Sequence, residues 1–335
     1  MKKWSLISLV FVCSVMFLVG CNPRTQVKTE KPADTKTPKL DAKIYSYKTD
    51  SNGFDTKNFF YDNGKEVVVF DSQFTGQYAQ KSIDFIRSKT KSPIKYLVIT
   101  HPNPDKFNGM KAFQAIGAKV IASNQTNKAI EGVHKYKQYY FVKIAKMFTE
   151  KTYPQPGKVD IVFDKSHTIE LSDGDKVELT ELGTTGVSSN QTIAYIPSKN
   201  AYLVGDLVHH QAHAWLEGGI VNGQPSPDLQ AWIQTLDQVG QMAQKDTKAV
   251  IYGGRGESAP AQKAIDAQKA YLKKAEQIVG DYVKGLGDKK GELKTDKANA
   301  HYTAIEKEFV KAFPSYKLSY MIRFGVYGLA LSKLQ

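Results

Sequence analysis

Cys21 is the first residue whose type and position could support chemistry, because its thiol can take a diacylglyceryl group through a thioether bond. It follows a positive start, Lys2 and Lys3, and an apolar run at Leu6–Val19. That run is too short to cross a bilayer comfortably and is typical of the hydrophobic region of a signal peptide. Gly20, directly before the thiol, is small enough for a peptidase to cut beside it. The pattern predicts cleavage after residue 20.

The ending Leu18-Val19-Gly20-Cys21 resembles the lipobox of bacterial lipoproteins. The resemblance implies a signal peptide at residues 1–20 and a mature chain that begins at Cys21. Its acyl chains, such as palmitate, would hold the protein on the extracytoplasmic face of the cell membrane, and two chains on one residue anchor stably. The alternative is an ordinary signal peptide or anchor helix with an incidental cysteine.

Composition narrows the classes of partner and the sources of stability. Cys13 would leave with the signal peptide and Cys21 would carry lipid, so the mature chain has neither a disulfide nor a cysteine metal ligand. Hydrophobic residues make up 41% of the chain, which is ample for a core. The formal net charge is +13, but the lysines are scattered and no phosphate-binding loop is present. We expect a solvated basic surface and no nucleic-acid partner.

Beyond the signal peptide at 1–20, composition and periodicity divide the chain into three segments. Residues 21–43 are polar and proline-containing, which predicts a tether after the lipid-bearing cysteine. Strands and helices alternate over 44–258, which predicts two sheets packed together with helices outside. Residues 259–335 are mostly helical. The predicted strands cover 44–47, 58–61, 66–71, 96–100, 119–122, 160–163, 167–171, 176–182, 192–196, 201–204 and 249–252; the predicted helices cover 78–89, 107–116, 124–148, 229–242, 259–286 and most of 298–334.

Four sequence blocks in this order resemble the metallo-β-lactamase superfamily. They are VVVFDSQFT (67–75), YLVITHPNPDKFNG (96–109), AYIPSKNAYLVGDLV (194–208) and AVIYGGRGE (249–257). The resemblance implies an α+β fold, the four-layer αβ/βα sandwich, over residues 44–258. The site would lie along one edge of the two sheets, and the helices of 259–335 would be an appendage packed on that domain.

The superfamily binds zinc through a His-x-His-x-Asp-His motif, a further histidine, a bridging aspartate and a final histidine between glycines. A hydrolytic zinc needs about three such ligands and an open water position. The loop at 183–192 contains no histidine. Position by position, the resemblance keeps His101, Asp105 and the bridging Asp206, but places Asn103, Lys106 and Arg255 where histidines belong.

Two of these departures, Lys106 and Arg255, are cations. Neither side chain ligates a metal while it is protonated, and an arginine stays protonated in proteins. We therefore expect each to pair with Asp105 or Asp206 inside a partly buried cleft, replacing the charge of the metal. A two-zinc centre is disfavoured because a divalent ion would be repelled by Lys106. The alternative is that Lys106 points into solvent.

Three further histidines follow Asp206: His209, His210 and His213. His209 and His213 would share one face if the segment were helical. The segment His213-Ala214-Trp215 resembles a feature of one branch of the superfamily in which these residues line the mouth of the site. The functional interpretation is a substitute metal ligand or a substrate contact, and the alternative is surface histidines on a mobile loop. His134, His167 and His301 are predicted to be structural.

Two functions follow from these residues. The preferred one is a membrane-anchored binding or sensing protein, or a scaffold, that holds no cofactor and takes an unknown small molecule. The alternative is an enzyme: a single-zinc hydrolase of an ester, lactone or lactam, with Asp105 as its catalytic residue and His101, Asp105, Asp206 and His213 as metal ligands. An adhesion module that uses the basic surface has little support. The predicted pocket consists of His101, Asn103, Asp105, Lys106, Asp206, His213, Trp215 and Arg255.

Overall fold

Two six-stranded sheets form the centre of the fold. The computed structural model describes residues 44–334, so the predicted signal peptide, Cys21 and the tether to residue 43 lie outside the described residues. The strands of the first sheet follow chain order: β1 (Ile44–Lys48), β2 (Lys57–Asp62), β3 (Val67–Phe70), β4 (Ile94–Val98), β5 (Lys119–Ser123) and β6 (Ile161–Phe163). β1 to β3 are antiparallel, whereas β3 to β6 are parallel.

The strands of the second sheet stand in the reverse of chain order, β14-β13-β10-β9-β8-β7. Its strands are β7 (Ser166–Glu170), β8 (Lys176–Glu181), β9 (Thr192–Ile196), β10 (Ala201–Gly205), β13 (Val250–Gly253) and β14 (Ala259–Pro260), and a separate hairpin is formed by β11 (Gly219–Val221) and β12 (Gln224–Ser226). β10 and β13 are parallel neighbours. The sequence did not predict the short strands β11, β12 and β14.

Helices cover the outer faces of both sheets. They are α1 (Gly76–Lys89), α2 (Pro104–Phe107), α3 (Met110–Ala115), α4 (Asn124–Tyr139), α5 (Leu229–Ala243), α6 (Ala261–Gly285), α7 (Ala298–Ala312), α8 (Tyr320–Gly325) and α9 (Tyr327–Ser332). Between residues 44 and 334, no helix combines the length and apolar character needed to cross a membrane.

Alternation along the strands creates the layers. Phe59 and Tyr61 of β2 face the second sheet, and Phe60 between them faces the helices. In β3, Val68 and Phe70 point between the sheets while the intervening valine packs under the helices. Successive side chains of a strand point to opposite faces. The result is the predicted four-layer αβ/βα sandwich, with one core between the sheets and one under each helical layer.

The C-terminal helices pack on the outer face of the second sheet. Tyr271 of α6, Phe309 of α7 and Ile322 of α8 belong to one buried cluster with Trp232 of α5 and Ile251 of β13. The predicted helical extension therefore shares its hydrophobic core with the sandwich.

The predicted helix over 107–116 is wrong as a single helix, because α2 and α3 are separated at Asn108-Gly109. The Gly109 amide donates to Gln73 O at 3.1 Å and to Ser72 Oγ at 2.9 Å, both in the loop after β3. A Cβ at Gly109 would lie 2.1 Å from Ser72 O. The close approach of the two loops interrupts the helix and holds them together.

The predicted helix over 124–148 is also too long. The α-helical part, α4, ends at Tyr139 and is followed by a single π-helical turn over Tyr140–Ile144. Lys146 then adopts a left-handed backbone with φ of 53°, which ends the helical path.

Candidate functional site

Four loops that follow parallel strands meet at one edge of the sandwich. Asp71 follows β3, His101 lies beyond β4, Asp206 follows β10, and Arg255 follows β13. Parallel neighbours end at the same edge of a sheet, and such edges are where open α/β sheets place their binding sites. The side chains of these loops are in contact across the two sheets, as the predicted location of the site required.

Four charged side chains form a closed cluster, which we call the charge tetrad: Asp105, Lys106, Asp206 and Arg255. Lys106 Nζ lies 3.0 Å from Asp105 Oδ2 and 2.8 Å from Asp206 Oδ1. Arg255 Nη2 lies 2.9 Å from Asp105 Oδ2, and Arg255 Nη1 lies 3.0 Å from Asp206 Oδ2. Each cation bridges both carboxylates. The predicted pairing is confirmed, and the alternative of a solvent-facing Lys106 is wrong because that residue is 0% exposed.

Neighbouring atoms hold the arginine in its place. Arg255 Nε donates to Phe54 O at 2.9 Å, and its Nη2 donates to Thr56 Oγ1 at 2.9 Å. The Thr56 hydroxyl in turn donates to Asp105 Oδ2 at 3.0 Å. Because an arginine offers five donors in a rigid fork, these contacts determine the orientation of the whole group.

Gly254 gives the tetrad its space. A Cβ at this position would lie 2.3 Å from Asp206 Oδ1 and 3.1 Å from Lys106 Nζ. Real Cβ atoms essentially never approach as closely as the first of these distances. Residue 254 therefore has to lack a side chain for the Lys106–Asp206 contact to exist.

The electrostatics keep all four groups charged near neutral pH. Burial would raise the pKa of Asp105, but the charges of Lys106 and Arg255 outweigh it and lower that pKa to about 2. The same two cations hold the pKa of Asp206 well below its usual value despite burial. Burial works against the charged form of Lys106 and of Arg255, yet the two carboxylates raise both pKa values. The tetrad carries two positive and two negative charges and is neutral as a unit.

His101 and Asn103 lie beside the tetrad, as predicted. His101 is fully buried, with its Nε2 3.6 Å from Asp206 Oδ2 and 3.3 Å from Asn103 Nδ2. Its Nδ1 contacts Thr100 Oγ1 at 3.0 Å. Both ring nitrogens are therefore occupied by protein partners.

Asp71 is a buried residue of the site that sequence reasoning missed. It has a positive φ of 69°, and its Oδ1 accepts from the Thr100 amide and from Thr100 Oγ1, both at 2.9 Å. Burial raises its pKa to about 6, although Lys106 and His101 oppose the shift. An acidic residue directly after an all-apolar strand was the available signal.

A small cleft of about 40 Å³ opens next to the tetrad. That volume holds one or two water molecules. Trp215 lines the cleft, as the sequence predicted for the mouth of the site. The other lining residues are Phe54, Phe74, Asn103, Pro104, Asp105, Lys137, Phe141, Asp206 and Arg255. The cleft is therefore lined by charged and aromatic side chains.

A second buried ion pair, between Lys137 and Glu217, contacts Trp215 of the cleft lining. Trp215 Nε1 donates to Glu217 Oε2 at 2.9 Å, and Lys137 Nζ lies 5.3 Å from the centroid of the Trp215 ring. The sequence analysis did not identify this pair. Lys137 falls on the buried stripe of α4 with Ile130 and Val133, and a cation at a core position was the signal that could have indicated it.

The histidines after Asp206 are placed differently from either prediction. Residues 207–218 are not helical, and His209, His210 and His213 are all buried, so the mobile surface loop is wrong. Burial lowers the pKa of His209 and of His213 to about 4. His209 Nε2 lies 3.9 Å from Asp206 Oδ1, so it is the member of this group nearest the tetrad.

His213 belongs to the C-terminal helices rather than to the cleft. Its Nδ1 lies 3.3 Å from the Tyr271 hydroxyl, and its ring packs edge-on against Phe309 at 6.0 Å between centroids. It does not line the cleft. The predicted ligand set of His101, Asp105, Asp206 and His213 is therefore not brought together, because the turns after Asp206 direct His213 into the core.

Comparisons with known proteins agree with this architecture. Residues 52–255 match the family model of the metallo-beta-lactamase superfamily, and the chain belongs to that superfamily. No curated protein matches the chain.

Solved structures resemble the fold at low sequence identity. A metallo-beta-lactamase from Pontibacter korlensis is 19% identical with a TM-score of 0.53, over 70% of this chain and 97% of that one. The DIM-1 metallo-beta-lactamase is 15% identical with a TM-score of 0.52, over 71% and 96% of the two chains. The mono-zinc form of FIM-1 from Pseudomonas aeruginosa is 16% identical with a TM-score of 0.50, over 69% and 90%. At these identities the likeness shows the fold.

The superfamily implies zinc, and the donor set of this chain does not fit it. Three carboxylate oxygens, Asp105 Oδ2 and both oxygens of Asp206, already accept from Lys106 or Arg255. Over residues 44–334, no group of three or more histidine, cysteine, aspartate or glutamate side chains is arranged to hold a metal ion. A zinc ion would have to displace two bound cations from the same carboxylates.

Proposed function

We propose that this protein is a lipid-anchored, extracytoplasmic binding or sensing protein. It has the metallo-β-lactamase fold but does not catalyse zinc-dependent hydrolysis. The observation that carries the proposal is the closed charge tetrad. In it, the positive charges of Lys106 and Arg255 occupy Asp105 and Asp206, the two carboxylates that a metal would need as ligands.

The chemistry of hydrolysis by a metallo-enzyme explains why the tetrad matters. A catalytic metal must have an open position for water and must lower the pKa of that water. In this chain Lys106 contacts one oxygen of Asp206, the residue at the superfamily's bridging position, and Arg255 contacts the other. A divalent ion at hydrogen-bond distance from Lys106 would be repelled by several kcal/mol at an intermediate effective dielectric, about 20. The resident cations therefore compete directly with a metal.

The cleft supports a neutral ligand with an apolar part. The tetrad is neutral as a unit, and the Lys137–Glu217 pair adds one charge of each sign. Asp105 lines the cleft, and its contacts with Lys106, Arg255 and Thr56 all go to one oxygen, Oδ2. Asn103 adds an amide to the lining, and Phe54, Phe74, Phe141 and Trp215 add aromatic rings.

Metal content tests the non-hydrolytic part of the proposal. We expect the purified protein to hold well under one equivalent of zinc by elemental analysis and to leave a chromogenic cephalosporin and simple lactones intact. The matched control is the triple variant Asn103→His, Lys106→His and Arg255→His, which restores ligands in place of the cations and should raise the bound zinc. Stoichiometric zinc in the unaltered protein, with hydrolysis that stops on chelation, would instead establish the single-zinc hydrolase.

Ligand binding is tested through Trp215, whose ring lines the cleft. Small neutral aromatic compounds that raise the melting temperature of the protein should do so less in Trp215→Ala. Trp232, which is buried in the core on the helical side of the second sheet, is the control fluorophore for Trp215. A ligand that quenches Trp232 in the Trp215→Phe variant as strongly as it quenches the unaltered protein would place binding elsewhere.

The anchor is tested at Cys21. Cys21→Ser should abolish lipid labelling and leave the precursor uncleaved by the lipoprotein peptidase, because the thioether cannot form. Processing after Gly20 together with lipid labelling in that variant would contradict the lipobox. Mass analysis of the N-terminal peptide gives the same answer for the unaltered protein.

A further inference from the structure

Exposed apolar side chains are concentrated in one short segment at the end of α4, which we call the exposed turn (residues 139–147). Tyr139 is 60% exposed, Ile144 is 59% exposed, and Met147 is 42% exposed. They are three of the six large hydrophobic residues that are exposed over residues 44–334. A concentration of this kind marks an interaction surface more often than scattered exposure does.

The backbone conformation of the exposed turn directs these side chains toward solvent. The π-helical turn at Tyr140–Ile144 is followed by a reversal at Lys146, and the Met147 amide donates back to Phe141 O at 2.9 Å. Phe141 and Phe148 point inward and pack against each other and on Phe74. Because the inner aromatic rings fix the turn, its outer apolar side chains are held toward solvent.

Lysines surround this apolar surface. Lys143 and Lys146 alternate with the exposed apolar residues, and Lys151 follows shortly after. Glu150 is the one acidic residue over 139–151, so the stretch carries a net charge of +2 from three lysines and one glutamate. Lys143 lies 3.0 Å from Glu150, but both side chains are more than half exposed, and such pairs are weak in water. The lysines remain available to an external anion.

We propose that the exposed turn docks on a bilayer surface rich in anionic lipid, with its apolar side chains in the headgroup region and its lysines on the phosphates. Apolar residues flanked by lysines are the combination that binds such interfaces. The inference rests on the proposed lipid anchor. Residues 22–43 number 22, which can span at most about 75 Å, whereas a 291-residue domain has a radius of gyration of about 19 Å. The anchor therefore allows the turn to reach the membrane.

Single-cysteine labelling of the full chain tests the docking. Met147→Cys and its matched control Val310→Cys occupy positions of equal exposure, 42% each, on α7 in the control. Each variant is labelled with a fluorophore and reconstituted through its anchor into vesicles of phosphatidylcholine alone or of equal parts phosphatidylcholine and phosphatidylglycerol. Spin-labelled lipids then report proximity by quenching, and the unaltered protein labelled in parallel gives the background from any Cys21 thiol that carries no lipid.

We expect quenching at residue 147 in the anionic vesicles and little at residue 310 in either. Lys146→Ala should lower the ratio of docked to undocked protein about fivefold, since one lysine near an anionic surface is lost. Equal quenching at 147 and 310, or quenching at 147 that is the same in both vesicles, would overturn the proposal. Mass analysis shows separately whether the protein carries lipid. If it carries none, the labelled variants are added to the vesicles from outside, and the same difference between residues 147 and 310 is expected. Failure of the anchor is thereby distinguished from failure of the docking.

Discussion

Two buried charge clusters border the same cleft, and they are stabilised in different ways. In the tetrad, each cation contacts two carboxylates. Asp105 and Lys106 lie on α2, whereas Asp206 and Arg255 follow β10 and β13. Lys137 and Glu217 form a single pair, and aromatic rings complete its surroundings. If one member of the tetrad is removed, the remaining three cannot all stay paired. The Lys137–Glu217 pair, by contrast, could be exchanged as a whole for apolar side chains. Buried ion pairs differ in this way depending on how their remaining hydrogen bonds are satisfied.

The largest expected effect is removal of one member of the tetrad. Lys106→Ala should lower the free energy of unfolding by about 3–5 kcal/mol, because Asp105 and Asp206 are left with one cation between them. Asp206→Ala should cost a similar amount. The double variant should cost much less than the sum, since coupled charges leave together and Asp105 keeps Arg255.

Denaturant unfolding of the two single variants and the double variant measures this coupling. Lys135→Ala is the control, because Lys135 pairs with Glu131 on the exposed face of α4 and its removal should scarcely change stability. Small additive losses at residues 106 and 206 would show that the tetrad contributes no network energy.

The second cluster should respond less. Lys137→Met should lower the free energy of unfolding by about 2–3 kcal/mol, because Glu217 becomes unpaired but keeps the indole donor of Trp215. Adding Glu217→Leu should recover most of that loss, since the apolar pair suits the aromatic surroundings. Thermal unfolding of both variants checks the contrast. If the double variant is no more stable than Lys137→Met, the Lys137–Glu217 pair cannot be exchanged for apolar side chains, and the contrast with the tetrad is contradicted.

A steric change sharpens the comparison without removing a charge. Gly254→Ala places a methyl group against Asp206 Oδ1, so the Lys106–Asp206 contact must lengthen, at a cost of about 1–3 kcal/mol. Gly132→Ala on α4 is the matched control, where an added Cβ meets nothing within 4 Å. There the substitution should stabilise the helix by about 0.5–1 kcal/mol. A loss at 132 equal to that at 254 would contradict the steric argument.

Stability also depends on pH, with a small change for each pH unit. His209 and His213 have pKa values of about 4 in the folded protein, so below pH 6.5 the unfolded chain binds more protons and stability falls toward pH 4. Asp71, with a pKa raised to about 6, opposes this because it takes up its proton in the folded state first. The net contribution of these three groups is a loss of about 1 kcal/mol per pH unit.

Two variants separate these contributions. His213→Phe should flatten the loss between pH 6.5 and 4, whereas Asp71→Asn should steepen it, in each case by up to about 1.4 kcal/mol per pH unit. Urea unfolding at several pH values measures both slopes. A steeper slope in His213→Phe would mean that this histidine is protonated in the folded protein.

Much of the fold could be predicted because its signals are local. Strands such as β3 and β9 are short apolar runs, and their order with the intervening helices indicated the layers. The errors in the elements have tertiary causes: the approach of Gly109 to the loop after β3 divides one helix, and the reversal at Lys146 shortens another. The anchor at Cys21 stays a prediction.

The site divides in the same way. The resemblance to the superfamily placed Lys106 and Arg255 at positions where metal ligands belong. Charge balance then predicted that they would pair with Asp105 and Asp206. Only the tertiary structure decided that His213 packs among the C-terminal helices and that Lys137 meets Glu217, 80 residues away. The direction of a side chain in an irregular loop depends on turns and on distant packing partners. Neither leaves a periodic pattern in the sequence.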